Sequence, residues 1–109
     1  MQDRKINITA RCPIRTTLEL LGGKWKLLII QQLSTGPRRL SELKKDIPDI
    51  SEKMLIQELK TLVESDLVLR TNHGEVPPRV DYGLTAKGRL ALPLIGHLKA
   101  FADSYHQQE

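Results

Sequence analysis

Apolar positions in this chain follow a helical period along most of its length and switch to a two-fold period once, after Asp66. Cys12-Pro13 opens a run of Ile14, Leu18 and Leu21 that stops at Gly22-Gly23, the proline-first, glycine-last punctuation of a helix. A second helix is predicted from about Lys24 to Leu33, with Trp25, Leu28, Ile29 and Leu33 inward, ending at Ser34-Thr35-Gly36-Pro37. Arg38-Arg39 leaves room only for a strand-like bridge. A short third helix follows over about 41–47, with Ser41 as N-cap and Leu43 and Ile47 buried, and closes at Pro48. The fourth, over about 52–65, has the clearest start: Ser51 can cap it, and Ile50 and Leu55 occupy the two positions of a hydrophobic staple. Leu55, Leu59, Leu62 and Val63 form its apolar stripe, while Lys53, Gln57, Lys60, Thr61 and Glu64 lie opposite.

Past Asp66, residues 67–71 and 79–84 read as strands around the turn-rich tip Asn72-His73-Gly74-Glu75-Val76-Pro77-Pro78. Val80, Tyr82 and Leu84 should face the core, with Arg79 and Asp81 outward and His73 a solvated turn residue. Thr85 caps a long C-terminal helix that Pro93 should kink or split. Residues 1–11 are polar and mixed and read as an N-terminal arm, which leaves 12–109 as one domain.

Composition narrows the class. A chain of 109 residues with 39 % apolar content supports a single core. One cysteine cannot form an intramolecular disulfide, which excludes a disulfide-stapled secreted scaffold. No apolar run approaches the about 20 residues of a membrane span, and Met1-Gln2-Asp3-Arg4-Lys5 leads into no signal-peptide core, so a cytoplasmic location is expected. The net charge of +4 is compatible with a polyanionic partner.

The order of elements carries more than the charge does. Helices three and four are joined by a turn of helix-turn-helix length, and the adjacent hairpin can serve as a wing. The expected fold is therefore mainly α (α+β), a winged helix-turn-helix with a two-stranded wing and a C-terminal dimerisation helix. Helix four suits the major groove because its outer face carries Lys53, Gln57 and Lys60; glutamine can pair with adenine, and lysine can reach guanine or phosphate. Ser51 and Met54 stand at its edge. Arg38, Lys44, Lys45, Arg39 and Arg79 are placed for the DNA backbone or the minor groove. The broad C-terminal stripe of Leu94, Ile95, Leu98, Phe101 and Tyr105, with Ile14 and Leu18, exceeds what one small chain can cover. A homodimer over these residues would set two recognition helices about 34 Å apart on a two-fold operator of double-stranded DNA.

At three places the residues themselves resemble a known family. Cys12-Pro13 … Leu21-Gly22-Gly23-Lys24-Trp25, then Ile50-Ser51-Glu52-Lys53-Met54-Leu55, then Val76-Pro77-Pro78-Arg79-Val80-Asp81-Tyr82-Gly83-Leu84-Thr85 with Gly88 after it, resemble the HxlR-type winged helix-turn-helix regulators, relatives of the MarR group. The resemblance runs in order from residue 12 to about 100. It implies a small dimeric transcription factor that recognises DNA through the helix beginning at Ser51 and through wing contacts around Arg79. It also implies that the cysteine of the Cys-Pro pair can act as a stress sensor. One departure stands out: Ser65-Asp66-Leu67-Val68 where such proteins commonly carry Asp-Gly before the strand, which should tighten that corner.

Cys12 is the candidate redox-sensing residue on its own chemistry too, because a helix N-terminus and the neighbouring Arg11 and Arg15 favour a thiolate. With one thiol per chain, its products are an intersubunit disulfide, a mixed disulfide or an adduct; the alternative is a buried thiol filling a gap. No catalytic set, metal site or cofactor loop is expected: His73, His97 and His106 have no ligand spacing with Cys12, and Gly22-Gly23 lacks the rest of a phosphate loop. A thiol enzyme would need a base beside Cys12, where the sequence offers arginines. The alternative of another class is a winged-helix module that binds protein and not DNA. Inducer, operator and sign of regulation are not encoded in any readable motif.

Overall fold

A computed structural model describes residues 12–108, and the arm expected over 1–11, with Arg11, lies outside them. Six helices and a hairpin follow in the order α1 (Pro13–Leu21), α2 (Lys26–Gln32), α3 (Leu40–Asp46), α4 (Glu52–Glu64), β1 (Val68–Asn72), β2 (Val80–Leu84), α5 (Ala86–Arg89) and α6 (Leu92–Gln107). The core gathers the inward stripes of α2, α3 and α4. Ile29, Ile30, Leu33, Leu43, Ile50, Leu55, Leu59, Leu62 and Val68 are all fully buried, each worth about 1.5–3 kcal/mol of transfer free energy. Lys26 on α2 reaches Glu58 on α4 at 3.1 Å, with both side chains largely covered, which pins α4 across α2.

The start of α4 forms as its sequence dictates. Ser51 Oγ accepts the Met54 N–H at 3.0 Å, while Ile50 and Leu55 are both buried around the cap. Its end is a Schellman turn: the Leu67 N–H bonds Leu62 O at 3.0 Å and the Asp66 N–H bonds Val63 O at 3.0 Å. Asp66, at φ +63°, takes the left-handed position, which aspartate tolerates better than most side chains. Leu67 is then free to bury itself, and so it ties the corner into the core. Thr85 closes the same corner from the far side, donating its hydroxyl to Asp66 O at 2.7 Å. Gly88 is required there, since a Cβ would collide with the Leu67 carbonyl oxygen.

β1 and β2 pair antiparallel, from Val68 opposite Leu84 to Asn72 opposite Val80. Arg38 adds the expected bridge, exchanging two backbone hydrogen bonds with Tyr82 at 2.9 and 2.8 Å. At the tip, Asn72 Oδ1 accepts the Gly74 N–H at 2.9 Å, and Gly74 sits at φ +69°.

The structure departs from the sequence reading in several details. In α2 the buried pair is Ile29 and Ile30, with Leu28 exposed, because Leu27-Leu28-Ile29-Ile30 offers no polar contrast to fix the phase. Lys24 and Trp25 precede that helix, and Lys24 Nζ lies 4.7 Å over the indole. α3 is capped at Arg39 and not Ser41: the Glu42 carboxylate accepts the Arg39 N–H at 2.8 Å, starting the helix two residues early. The C-terminal helix is split, as expected of Pro93; the break falls just before it, at Leu90–Ala91, and Pro93 sits in the first turn of α6, where its missing N–H costs nothing.

Candidate nucleic-acid interface

The cationic outer face of α4 is built by default. Once Leu55, Leu59 and Leu62 are committed to the core, Lys53, Gln57 and Lys60 must face solvent, and all three are exposed. Met54 is half-buried against the core, so only its edge reaches this face. Ser51 is exposed, but its hydroxyl is occupied by the cap. Sequence reasoning passed over Ile56, which is exposed on the same face beside Gln57. The signal was present as a non-core residue flanked by the polar stripe, and was hidden because apolar residues are read as core by default.

The flanking cations are partly held by the protein. Lys44 Nζ donates to Pro48 O at 3.0 Å, closing the turn between α3 and α4, and Arg38 Nη2 donates to Thr35 Oγ1 at 3.2 Å. Arg79 Nη2 lies 3.5 Å from Asp81 and Nη1 lies 3.7 Å from Glu75. Both Arg38 and Arg79 keep an Nε–H without an acceptor.

Asp81 is the hub of the wing. Expected to point freely outward, it is instead largely covered, accepting from His73 Nε2 at 2.8 Å and facing Arg79 and Arg39, the latter at 3.9 Å. His73 is correspondingly a wing strut and not a loose turn residue. The hydrogen bond from His73, then the two guanidiniums, hold the Asp81 carboxyl below its ordinary value of 3.8. The cluster fastens the hairpin to the first turn of α3, so wing and helix-turn-helix share one anchor.

The opposite end of the molecule is different. Residues 96–108 are all exposed, so the second half of α6 projects from its own core. Leu98, Phe101 and Tyr105 line one side of it, with the Phe101 and Tyr105 rings stacked at 6.4 Å. Ile14 and Leu18 of α1 are likewise exposed, at 73 % and 63 %. Ile95, expected on this face, is buried in its own core at 9 % exposure, and Leu94 is half-buried, because the first turn of α6 must cover α2 before the helix leaves. Cys12 N-caps α1, its Sγ accepting the Arg15 N–H at 3.4 Å, and sits half-buried at the edge of the Ile14–Leu18 patch.

Among the described residues no helix is long and apolar enough to cross a membrane. Three helices, a following recognition-type helix and a two-stranded wing define a winged-helix transcription regulator. The chain belongs to the HxlR-like helix-turn-helix family, whose sequence profile matches residues 20–109. It is 44 % identical over 98 residues to YkvN of Bacillus subtilis strain 168, an uncharacterised helix-turn-helix transcriptional regulator, covering 90 % of this chain and 83 % of that protein. Two solved structures are similar throughout. One is the redox regulator HypR in its oxidised form, at 34 % identity and TM-score 0.80, covering 85 % of this chain and 96 % of that one. The other is reduced YodB from B. subtilis, at 37 % identity and TM-score 0.79, covering 90 % and 97 %; YodB has also been solved after diamide treatment and with quinone bound.

Proposed function

We propose that this regulator works in the cytoplasm as a homodimer that binds a two-fold operator in double-stranded DNA. α4 lies in the major groove. Lys53, Gln57 and Lys60 make the groove contacts, with Ser51 and Met54 at the edge; Arg38, Lys44 and Arg79 meet phosphate or minor groove. The observation that carries this reading is the outer face of α4, where three exposed side chains with DNA-compatible chemistry stand on a helix fixed to its core and capped at its start.

Dimerisation is supported by the bare end of α6. A helix that leaves its core is marginal in water unless another surface covers its apolar stripe. Leu94, Leu98, Phe101 and Tyr105 recur on one side of it, and a second copy supplies an identical stripe with Ile14 and Leu18 beside it. Cys12, at the rim of that patch, is placed for its oxidation or alkylation to alter the packing of the two copies; among the similar proteins HypR is a redox regulator and YodB has been solved with quinone bound.

The test is a fluorescence-anisotropy titration of reduced protein on DNA flanking its own gene, with scrambled duplex as competitor and a parallel series after diamide. Tight binding that outcompetes scrambled DNA and weakens steeply with salt is expected. Equal, salt-insensitive affinity for both duplexes would move the protein-binding alternative to the front. A Cys12→Ser protein whose affinity still falls after diamide ends the sensor role.

A further inference from the structure

The outer stripe of α4 holds one side chain that electrostatics does not explain. Lys53, Ile56, Gln57 and Lys60 are spaced i, i+3, i+4 and i+7, which keeps them within about 100° of arc at 3.6 residues per turn. Ile56 is 47 % exposed there, while the core stripe is complete without it: Leu55, Leu59 and Leu62 are at most 1 % exposed. The exposed apolar residues of α6 line up with one another and so fit another apolar helix. Ile56 instead stands at one edge of that arc, with Lys53 and Lys60 a helical turn away on either side and Gln57 at the other edge. A surface that accepts an isoleucine there must also accept two cations and an amide donor-acceptor pair.

A DNA major groove meets that description. Its phosphates attract the lysines, its base edges suit glutamine, and the 5-methyl of thymine is the one apolar group on its floor. Isoleucine is stiff at χ1, so it can hold such a contact at little rotamer cost. We infer that Ile56 reads a thymine methyl in each half-site of the operator, on the other edge of the helix face from the adenine contact available to Gln57. This rests on the proposed placement of α4 in the groove and goes further by naming the group that is read. The recognised half-site contains an A·T pair whose thymine methyl faces the helix.

The test starts from duplexes selected out of a random pool by the full-length protein. Each thymine is then replaced singly by deoxyuridine, which deletes only the methyl group. At one position per half-site, wild type should lose about three- to fivefold in affinity, the effect of one methyl group leaving an apolar contact. Ile56→Ala should be indifferent to the methyl at that position while keeping the wild-type response elsewhere. Ile56→Thr, which retains a γ-methyl, should respond in between. All three proteins should share one thermal midpoint and one salt slope, since Ile56 is outside the core and touches no phosphate. Identical deoxyuridine profiles for wild type and Ile56→Ala overturn the inference while leaving DNA recognition intact. Failure to enrich any sequence removes the groove placement itself, and the inference with it.

Discussion

The two ends of this molecule solve opposite problems. Around α3, α4 and the wing, polar groups at the joints between elements find partners within the chain: Ser51 caps α4, Glu58 holds Lys26, Asp81 gathers His73, Arg79 and Arg39, and Thr85 stitches the corner at Asp66. Around α1 and the far half of α6, apolar groups stand without cover. The first region is finished by its own sequence and offers polar chemistry to a ligand. The second offers chiefly hydrophobic surface, which the proposed homodimer would cover. On the proposed reading, recognition and assembly are carried by different kinds of free energy, directional in one region and area-proportional in the other.

Substitutions can break this contrast, and the largest effect is expected from α6. Phe101→Asp should leave the monomer folded, because the ring contributes nothing to its own core, yet abolish dimerisation and lower operator affinity about 100- to 10,000-fold as two linked half-site contacts become independent. Analytical ultracentrifugation and anisotropy on one sample check both halves; a monomer that still binds at full strength would remove the division of labour. Next comes Leu59→Ala, the opposite case, which should cost about 2–5 kcal/mol of unfolding free energy, read by urea titration with the far half of α6 untouched. Ser51→Ala should cost about 1 kcal/mol by leaving the Met54 N–H without its acceptor, and should weaken operator and scrambled DNA alike.

The smallest and most local effect is expected at Asp81. Its carboxyl titrates below its ordinary value in the folded wing, so the carboxylate contributes stability that is present above the unfolded value near 3.8 and is lost as pH falls through the lower folded value. The stability difference between wild type and Asp81→Asn should therefore be constant from neutral pH down to about pH 5 and shrink toward zero in more acid solution. A difference that instead grows on acidification would contradict the hub.

Much of the finished region was legible in the sequence because its determinants are local. Ser51, the Ile50–Leu55 staple, the Leu55–Leu59–Leu62 stripe and Pro93 each act within a turn or two of the chain. The bridge at Arg38 was legible from spacing alone. What escaped depends on distance or on missing contrast. Arg39 and Asp81 are far apart in sequence, so nothing local announces that they meet. The run Leu27–Ile30 has no polar residue to set its phase, and the fate of Ile95 depended on where α6 leaves α2. The corner at Asp66 was misassigned for a related reason. The departure from Asp-Gly drew attention to Leu67, yet Asp66 takes the left-handed turn and Leu67 simply packs.

The break between α5 and α6 has a mechanical side. α5 is locked to the wing corner by Gly88 and Thr85, and the first turn of α6 to the core by Ile95, whereas residues 96–107, about 18 Å of helix, run on without cover. Such a helix is a lever with a short base: a tilt of about 5° at its first turn carries its far tip through about 1.6 Å. In a pair of chains joined along their levers, the separation of the two reading heads would be governed by one angle, and a small change in that angle would put them out of gauge with a duplex whose repeat is fixed.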